Sequence, residues 1–163
     1  MHSSRDYIPN TNPFLFLFRN KMIKFSVNKR TPSRVPYQLI DTVLKRTNKL
    51  FKLSGANEIS LAVIGRSEMR KLNKIYRGKD KATDVLSFED GEQQGSKTFL
   101  GEILICWPYL QTQAREMHHS NQKEFMVLFI HGLLHLLGYD HIKAGDAKKM
   151  KPLEAKILQY IYD

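Results

Sequence analysis

Three histidines, His131, His135 and His141, stand in the run HGLLHLLGYDH, with Gly138 between the second and the third. Four positions separate the first two, so on a helix their imidazoles project from one face, a turn apart, and can meet at a single ion. Gly138 can take the positive-φ conformation that ends helices, turning the chain so that His141 returns as a third ligand. Three protein ligands leave one coordination position for water, the arrangement of a catalytic rather than a closed structural metal site. The pattern HxxxHxxxxxH therefore predicts one divalent metal ion. Zinc is the expected one, although such a ligand set also suits nickel, cobalt or iron.

The residue after the first histidine narrows the chemistry. In zincin peptidases a glutamate there acts as general base for the attacking water, whereas here the position holds Gly132. A hydrolase built on these histidines must recruit a base from elsewhere or rely on metal-activated water assisted by a cation.

The chain has 163 residues, 42% of them hydrophobic, enough for one globular domain with a sizeable core. Its apolar runs, such as Phe14 to Phe18, are far too short for a membrane span. The lone Cys106 cannot form an intramolecular disulfide and sits in the apolar run Ile103 to Trp107, which favours a buried strand position and a reducing cytoplasm. The formal charge of +10 is unevenly placed. Residues 1–53 carry eleven basic against two acidic side chains and residues 66–81 carry seven against two, so the remainder is net acidic. Such an excess attracts polyanions, nucleic acid before metabolites or lipids.

Residues 1–21 read as an extension, disordered or a start-site artefact, with prolines, Asn and Ser and no periodicity. Basic residues outnumber acidic ones there, as in targeting segments, but the apolar run is too short for a secretory core. A single metallohydrolase domain is expected over 22–163. Within it Ile23, Phe25 and Val27 suggest a strand, and Thr31-Pro32-Ser33 suggests the cap and first turn of a helix reaching about residue 52. Strands are expected at 58–64, 83–88 and 98–106, the last two joined by a polar loop over 89–97. Helices are expected at 67–76, 108–118, 121–137 and 146–162, the third opened by Asn121 and Glu124 in capping-box spacing. Strands and helices in this order predict an α+β fold, a single mixed sheet of about four strands packed with helices.

A second stretch, NKIYRGKDKATDVLSF over 73–88, places a basic glycine-containing loop directly before a strand. Arginine suits phosphate because its planar fork donates two hydrogen bonds, which makes Arg77 the candidate clamp and Lys79 its companion. Asp84 reads as a turn or cap residue bonded to local backbone, and Gly101 as a bulge or a close backbone approach. His118 and His119 read as a solvent-exposed pair at a helix end, and Trp107 and Tyr109 as core aromatics.

Taken together, LNKIYRGKDKATDVLSF, FLGEILIC, QARE, IHGLLHLLGYDH, and Met150 with Glu154 and Ile157-Leu158 closely resemble the YbeY family of metal-dependent single-strand endoribonucleases. The match runs in order over about residues 22–160. The resemblance implies a zinc-type hydrolase of single-stranded RNA, linked to ribosomal RNA maturation, ribosome quality control and ribosome assembly factors. It implies His131, His135 and His141 as metal ligands and Arg77 as the catalytic or RNA-binding arginine. Glu102 stands where that family often has aspartate. Two further classes fit parts of the pattern: a metallopeptidase with an unconventional base, and a ribosome assembly or RNA-binding factor whose metal is structural.

Overall fold

The computed structural model describes residues 23–139 and 144–162. The extension 1–21 and the third histidine, His141, lie outside the described residues. The elements run β1 (Lys24–Lys29), α1 (Tyr37–Phe51), β2 (Ala56–Ile64), α2 (Arg66–Arg77), β3 (Val85–Gln94), β4 (Lys97–Cys106), α3 (Trp107–Glu116), α4 (Asn121–Leu136) and α5 (Ala144–Tyr162). Among the described residues four strands form one sheet in the order β1-β2-β4-β3. The first three are mutually parallel and β3 pairs antiparallel to β4. This is the α+β mixed sheet that the sequence pattern predicts.

Alternation along the central strands builds two apolar layers. Ile59, Leu61 and Val63 of β2, with Ile103 and Ile105 of β4, face the larger core formed with α1, α4 and α5. Ala62, Ile64, Leu104 and Cys106 face the opposite side, where Met69 of α2 covers them. Burial pushes the Cys106 thiol upward in pKa, so it stays protonated and serves as core.

Four local expectations are corrected. The first helix begins after Pro36 rather than at Thr31, because a residue before proline avoids the α region and Pro36 itself lacks an N–H. The stretch 89–97 is mostly strand: β3 continues to Gln94 and turns tightly at Gly95-Ser96 into β4, with a register shift between Glu89 and Glu92. Polar residues suit this hairpin because its far end is exposed. The cap of α4 is Ser120, whose Oγ accepts from the Lys123 N–H. Glu124 instead turns to His119, Oε2 to Nε2 at 2.5 Å, so His119 is largely buried, while His118 is solvent-exposed as expected.

α4 is buried on nearly every side, through Phe125, Met126, Leu128, Phe129, Ile130, Leu133, Leu134 and Leu136. It packs on β3 and β4 and touches α1, α3 and α5. It comes close to the sheet at Gly132, where a β-carbon would lie 2.9 Å from Ile103 Cγ2. Gly132→Ala is therefore expected to cost about 1–3 kcal/mol of unfolding free energy by overpacking. Urea denaturation checks this, and unchanged stability would show that α4 can stand off the sheet.

Candidate active site

The histidine pair hangs at the C-terminal end of this buried helix. His131 and His135 are both partly exposed, with ring centroids 4.7 Å apart and their Nε2 atoms 3.1 Å apart. The helix closes as the glycine suggests: Gly138 has φ of +87°, its N–H donates to the His135 carbonyl, and the Tyr139 N–H reaches back to Leu134. Tyr139 then packs edge-on against Phe51 of α1, centroids 5.7 Å apart. The chain thus leaves α4 in a fixed turn, and His141 lies outside the described residues two positions farther on.

The other ring nitrogen of His131 is also engaged. Nδ1 lies 2.6 Å from Oε1 of Glu154 on α5. An ionised carboxylate only accepts, so the Nδ1 proton points to Glu154 and the Nε2 lone pair is presented toward His135. Glu154 has this role on structural grounds; the sequence reading assigned it none. Two nitrogens bound at about 2.0–2.1 Å to a tetrahedral ion stand about 3.3 Å apart, so the observed separation fits a shared cation. A carboxylate behind a ligating imidazole is the usual support of such a site. The C-terminal end of a helix, where unpaired carbonyls gather, also favours positive charge. Among the described residues no cluster of three metal-ligating side chains occurs, and the third expected ligand is outside them.

Gly132 bears on the peptidase reading. The position after the first histidine faces Ile103 and the sheet. A glutamate there would be driven into the core, not toward the imidazoles.

The basic loop is assembled by α2. Arg77 is the last residue of that helix, capped by Gly78, and is exposed, as is Lys79. Asn73, buried in α2, donates from Nδ2 to the Lys81 carbonyl at 2.7 Å, and the Lys79 N–H donates to the Asn73 carbonyl, so the loop 78–81 is tied at both ends. Tyr76, next to Arg77, packs on Phe88 with centroids 4.7 Å apart. Phe88 in turn abuts Gly101, where an added β-carbon would overlap the Phe88 carbonyl and come within 2.9 Å of Leu136 Cδ2. The end of α2, the β3–β4 ladder and the end of α4 are linked through these contacts. Gly101 is both a bulge, the register skipping Leu100 opposite Glu58/Ile59, and a close approach at φ of +137°.

Asp84 is a local organiser. Its Oδ1 accepts from Thr83 Oγ1 and the Val85 N–H, and its Oδ2 accepts from Gln113 of α3. Glu102 accepts from Ser60 Oγ across the β2–β4 pair. Trp107 is core, and Tyr109 carries the Arg66 guanidinium over its ring.

Residues 22–162 match the family profile described as Endoribonuclease YbeY. This chain belongs to the YbeY endoribonuclease family. It is 47% identical over 102 residues to the Endoribonuclease YbeY of Aquifex aeolicus, covering 62% of this chain and 68% of that one. With the Endoribonuclease YbeY of Halalkalibacterium halodurans it shares 40% over 131 residues, covering 74% and 82%. The solution structure of TM1509 from Thermotoga maritima matches with a TM-score of 0.58 at 27% identity, over 86% of this chain and 89% of that one. YbeY membership makes the chain an enzyme of the hydrolase class that cuts RNA phosphodiester bonds, and neither the peptidase nor the non-catalytic reading is favoured. Among the described residues no helix is long and apolar enough to cross a membrane.

Not every cation of the basic segment is available to a polyanion. Asp80 is bound by Arg70 Nε at 2.8 Å and by Lys74 Nζ at 3.0 Å, and these hydrogen bonds hold its carboxyl at about 2. A depressed carboxylate pKa means the pairing is fully formed above the ordinary value of 3.8 and is lost as pH falls through about 2. An NMR side-chain titration is expected to place the Asp80 midpoint near that lower value. A midpoint near 3.8 would show that neither cation is held.

Proposed function

We propose that this chain is a metal-dependent, single-strand-specific endoribonuclease that acts in the cytoplasm on ribosomal RNA, in its processing and in ribosome quality control. On this reading residues 22–163 form one metallohydrolase domain, with ribosomal particles or their assembly factors as partners. His131, His135 and His141 hold one divalent ion, zinc before others. The observation that carries the reading is the approach of the His131 and His135 Nε2 atoms to 3.1 Å, with His131 oriented from behind by Glu154.

When bound, the ion would supply Lewis acidity at the scissile phosphate and acidify the attacking hydroxyl. The chain's own residues do the remaining work. Glu154 keeps the His131 ring in one tautomer and one orientation. Arg77 clamps the phosphate and offsets the charge that develops on its oxygens, while Lys79 holds the adjoining backbone. Lys81 adds positive charge in the same loop, since it has no ion pair among the described residues.

Purified protein is expected to cleave unstructured RNA in a chelator-sensitive way, with activity lost in His131→Ala and reduced about 100-fold or more in Arg77→Ala. Full activity after metal removal would refute the proposal, and RNA binding without cleavage under any divalent ion would favour a structural metal. A DNA strand of the same sequence reports the attacking oxygen, because cleavage of DNA excludes the ribose 2′-OH. Independently of turnover, Glu154→Gln is expected to weaken zinc binding about 10–100-fold in competition with a chelating dye. Wild-type affinity would remove Glu154 from the site.

A further inference from the structure

The tyrosines near the end of α5 are not packed away. Tyr160 and Tyr162 are 45% and 46% exposed, and each carries a cation over its ring. Arg46 of α1 lies 4.9 Å from the centroid of Tyr160, and Lys123 of α4 lies 6.0 Å from that of Tyr162. Arg46, Lys49, Leu50 and Tyr160 line an open cavity of about 280 Å³. None of Arg46, Lys49 and Lys123 has an acidic partner among the described residues, and the neighbouring Asp41 is taken by Lys45.

Position ties the Lys123–Tyr162 pair to the histidine site, while Tyr160, two residues earlier and so on the other flank of α5, turns with Arg46 toward α1. α4 and α5 run antiparallel, with His131 against Glu154 and Lys123 against Tyr162, eight residues along each helix. At about 1.5 Å rise per residue the two contacts are roughly 12 Å apart, within reach of one short stretch of extended nucleic acid. The chemistry also matches that ligand. A guanidinium held against a ring is ordered before the ligand arrives and keeps its N–H edge for phosphate. Half-exposed tyrosines stack on bases of any sequence, and a basic groove with such rings is the common design for single strands. An acidic peptide would use the cations but not the rings.

We propose that Arg46, Lys49 and Tyr160 on one flank of α5, with Lys123 and Tyr162 on the other, form a second RNA-contact surface round the end of that helix, which holds the single-stranded nucleotides flanking the scissile bond; this rests on the endoribonuclease reading. The surface contributes affinity for longer substrates and leaves the bond-breaking step alone.

The test compares wild-type protein with Arg46→Glu/Lys49→Glu and the milder Arg46→Gln/Lys49→Gln, thermal melting confirming that each folds. The probes are unstructured RNAs of about 16 and about 4 nucleotides, the range that single-strand sites span. For the longer RNA, KM is expected to rise about ten-fold with kcat unchanged, while the shorter RNA is cleaved as by wild type. The plot of log affinity against log salt should become shallower by about 1.4, the loss of two phosphate contacts. An unchanged KM and salt slope on the longer RNA overturns the surface, and so does an equal loss on both RNAs. Wild-type protein that cleaves neither RNA defeats the endoribonuclease reading instead. In that event the binding slope, which needs no turnover, still decides whether this face holds RNA.

Discussion

Gly132 lets the backbone of α4 come so near β4 that Ile103 fills the space a side chain would take, and the orientation of the histidine pair follows from that contact. A helix apolar on nearly every side has no polar face to fix its rotation. One small residue can fix it, because only one edge of the helix then seats against the sheet. With about 100° between successive residues, His131 and His135 project roughly 60–100° round from Gly132, on the same flank. That flank is where α5 supplies Glu154. The imidazoles therefore look neither into the core nor straight outward. His131 lies in the seam between α4 and α5, largely shielded, with one nitrogen turned to a carboxylate, and His135 stands partly exposed beside it.

Much of this arrangement could be read from the chain, because it is local. The spacing of His131 and His135 and the glycine at 138 are short-range signals, and helical geometry turns them directly into a shared face and a turn. The central strands β2 and β4 were legible because both of their faces are buried toward their C-terminal ends and those stretches are correspondingly apolar. What escaped was set by other parts of the molecule. Glu154 is 23 residues from His131, and only the antiparallel register of α4 and α5 brings them together. A signal was present: Met150, Leu153, Ile157 and Leu158 form the apolar stripe of α5, and Glu154 interrupts it. A carboxylate on a core-facing stripe needs a partner, and a partly buried histidine is a fitting one. The long β3–β4 hairpin was missed for the opposite reason, since its outer half buries little and polar strand residues there resemble a loop.

Charge was countable from the sequence but its distribution was not. Of the seven basic residues in 66–81, Arg66 is spent on α3, donating to the Pro108 carbonyl and Thr112 Oγ1 while covering the Tyr109 ring. Arg70 and Lys74 are committed to Asp80. The aspartate in the GKDK turn thus does two things at once. It pins the loop to α2, and it withdraws two cations from whatever binds there. The remaining positive charge falls at Lys71 in mid-helix and at Arg77, Lys79 and Lys81, the end of the helix and the loop leading into β3. A segment that counts as uniformly basic is in fact divided between a scaffold and a binding edge.

On the proposed reading, the same packing explains why this histidine arrangement suits RNA rather than peptide chemistry. Peptide hydrolysis on a histidine-held metal needs a nearby carboxylate base, and the position that supplies it in zincins is here pressed against Ile103. Restoring a glutamate at residue 132 would not restore the base, because the side chain would enter the sheet face and not the seam. A phosphodiester makes a different demand. Its reacting centre already carries negative charge, so a cation beside it assists both binding and the crowding of charge in the transition state. The proposed site, with a glycine in place of the base, a metal-suited histidine pair, and an exposed arginine on a loop tied down by Asn73, fits that demand.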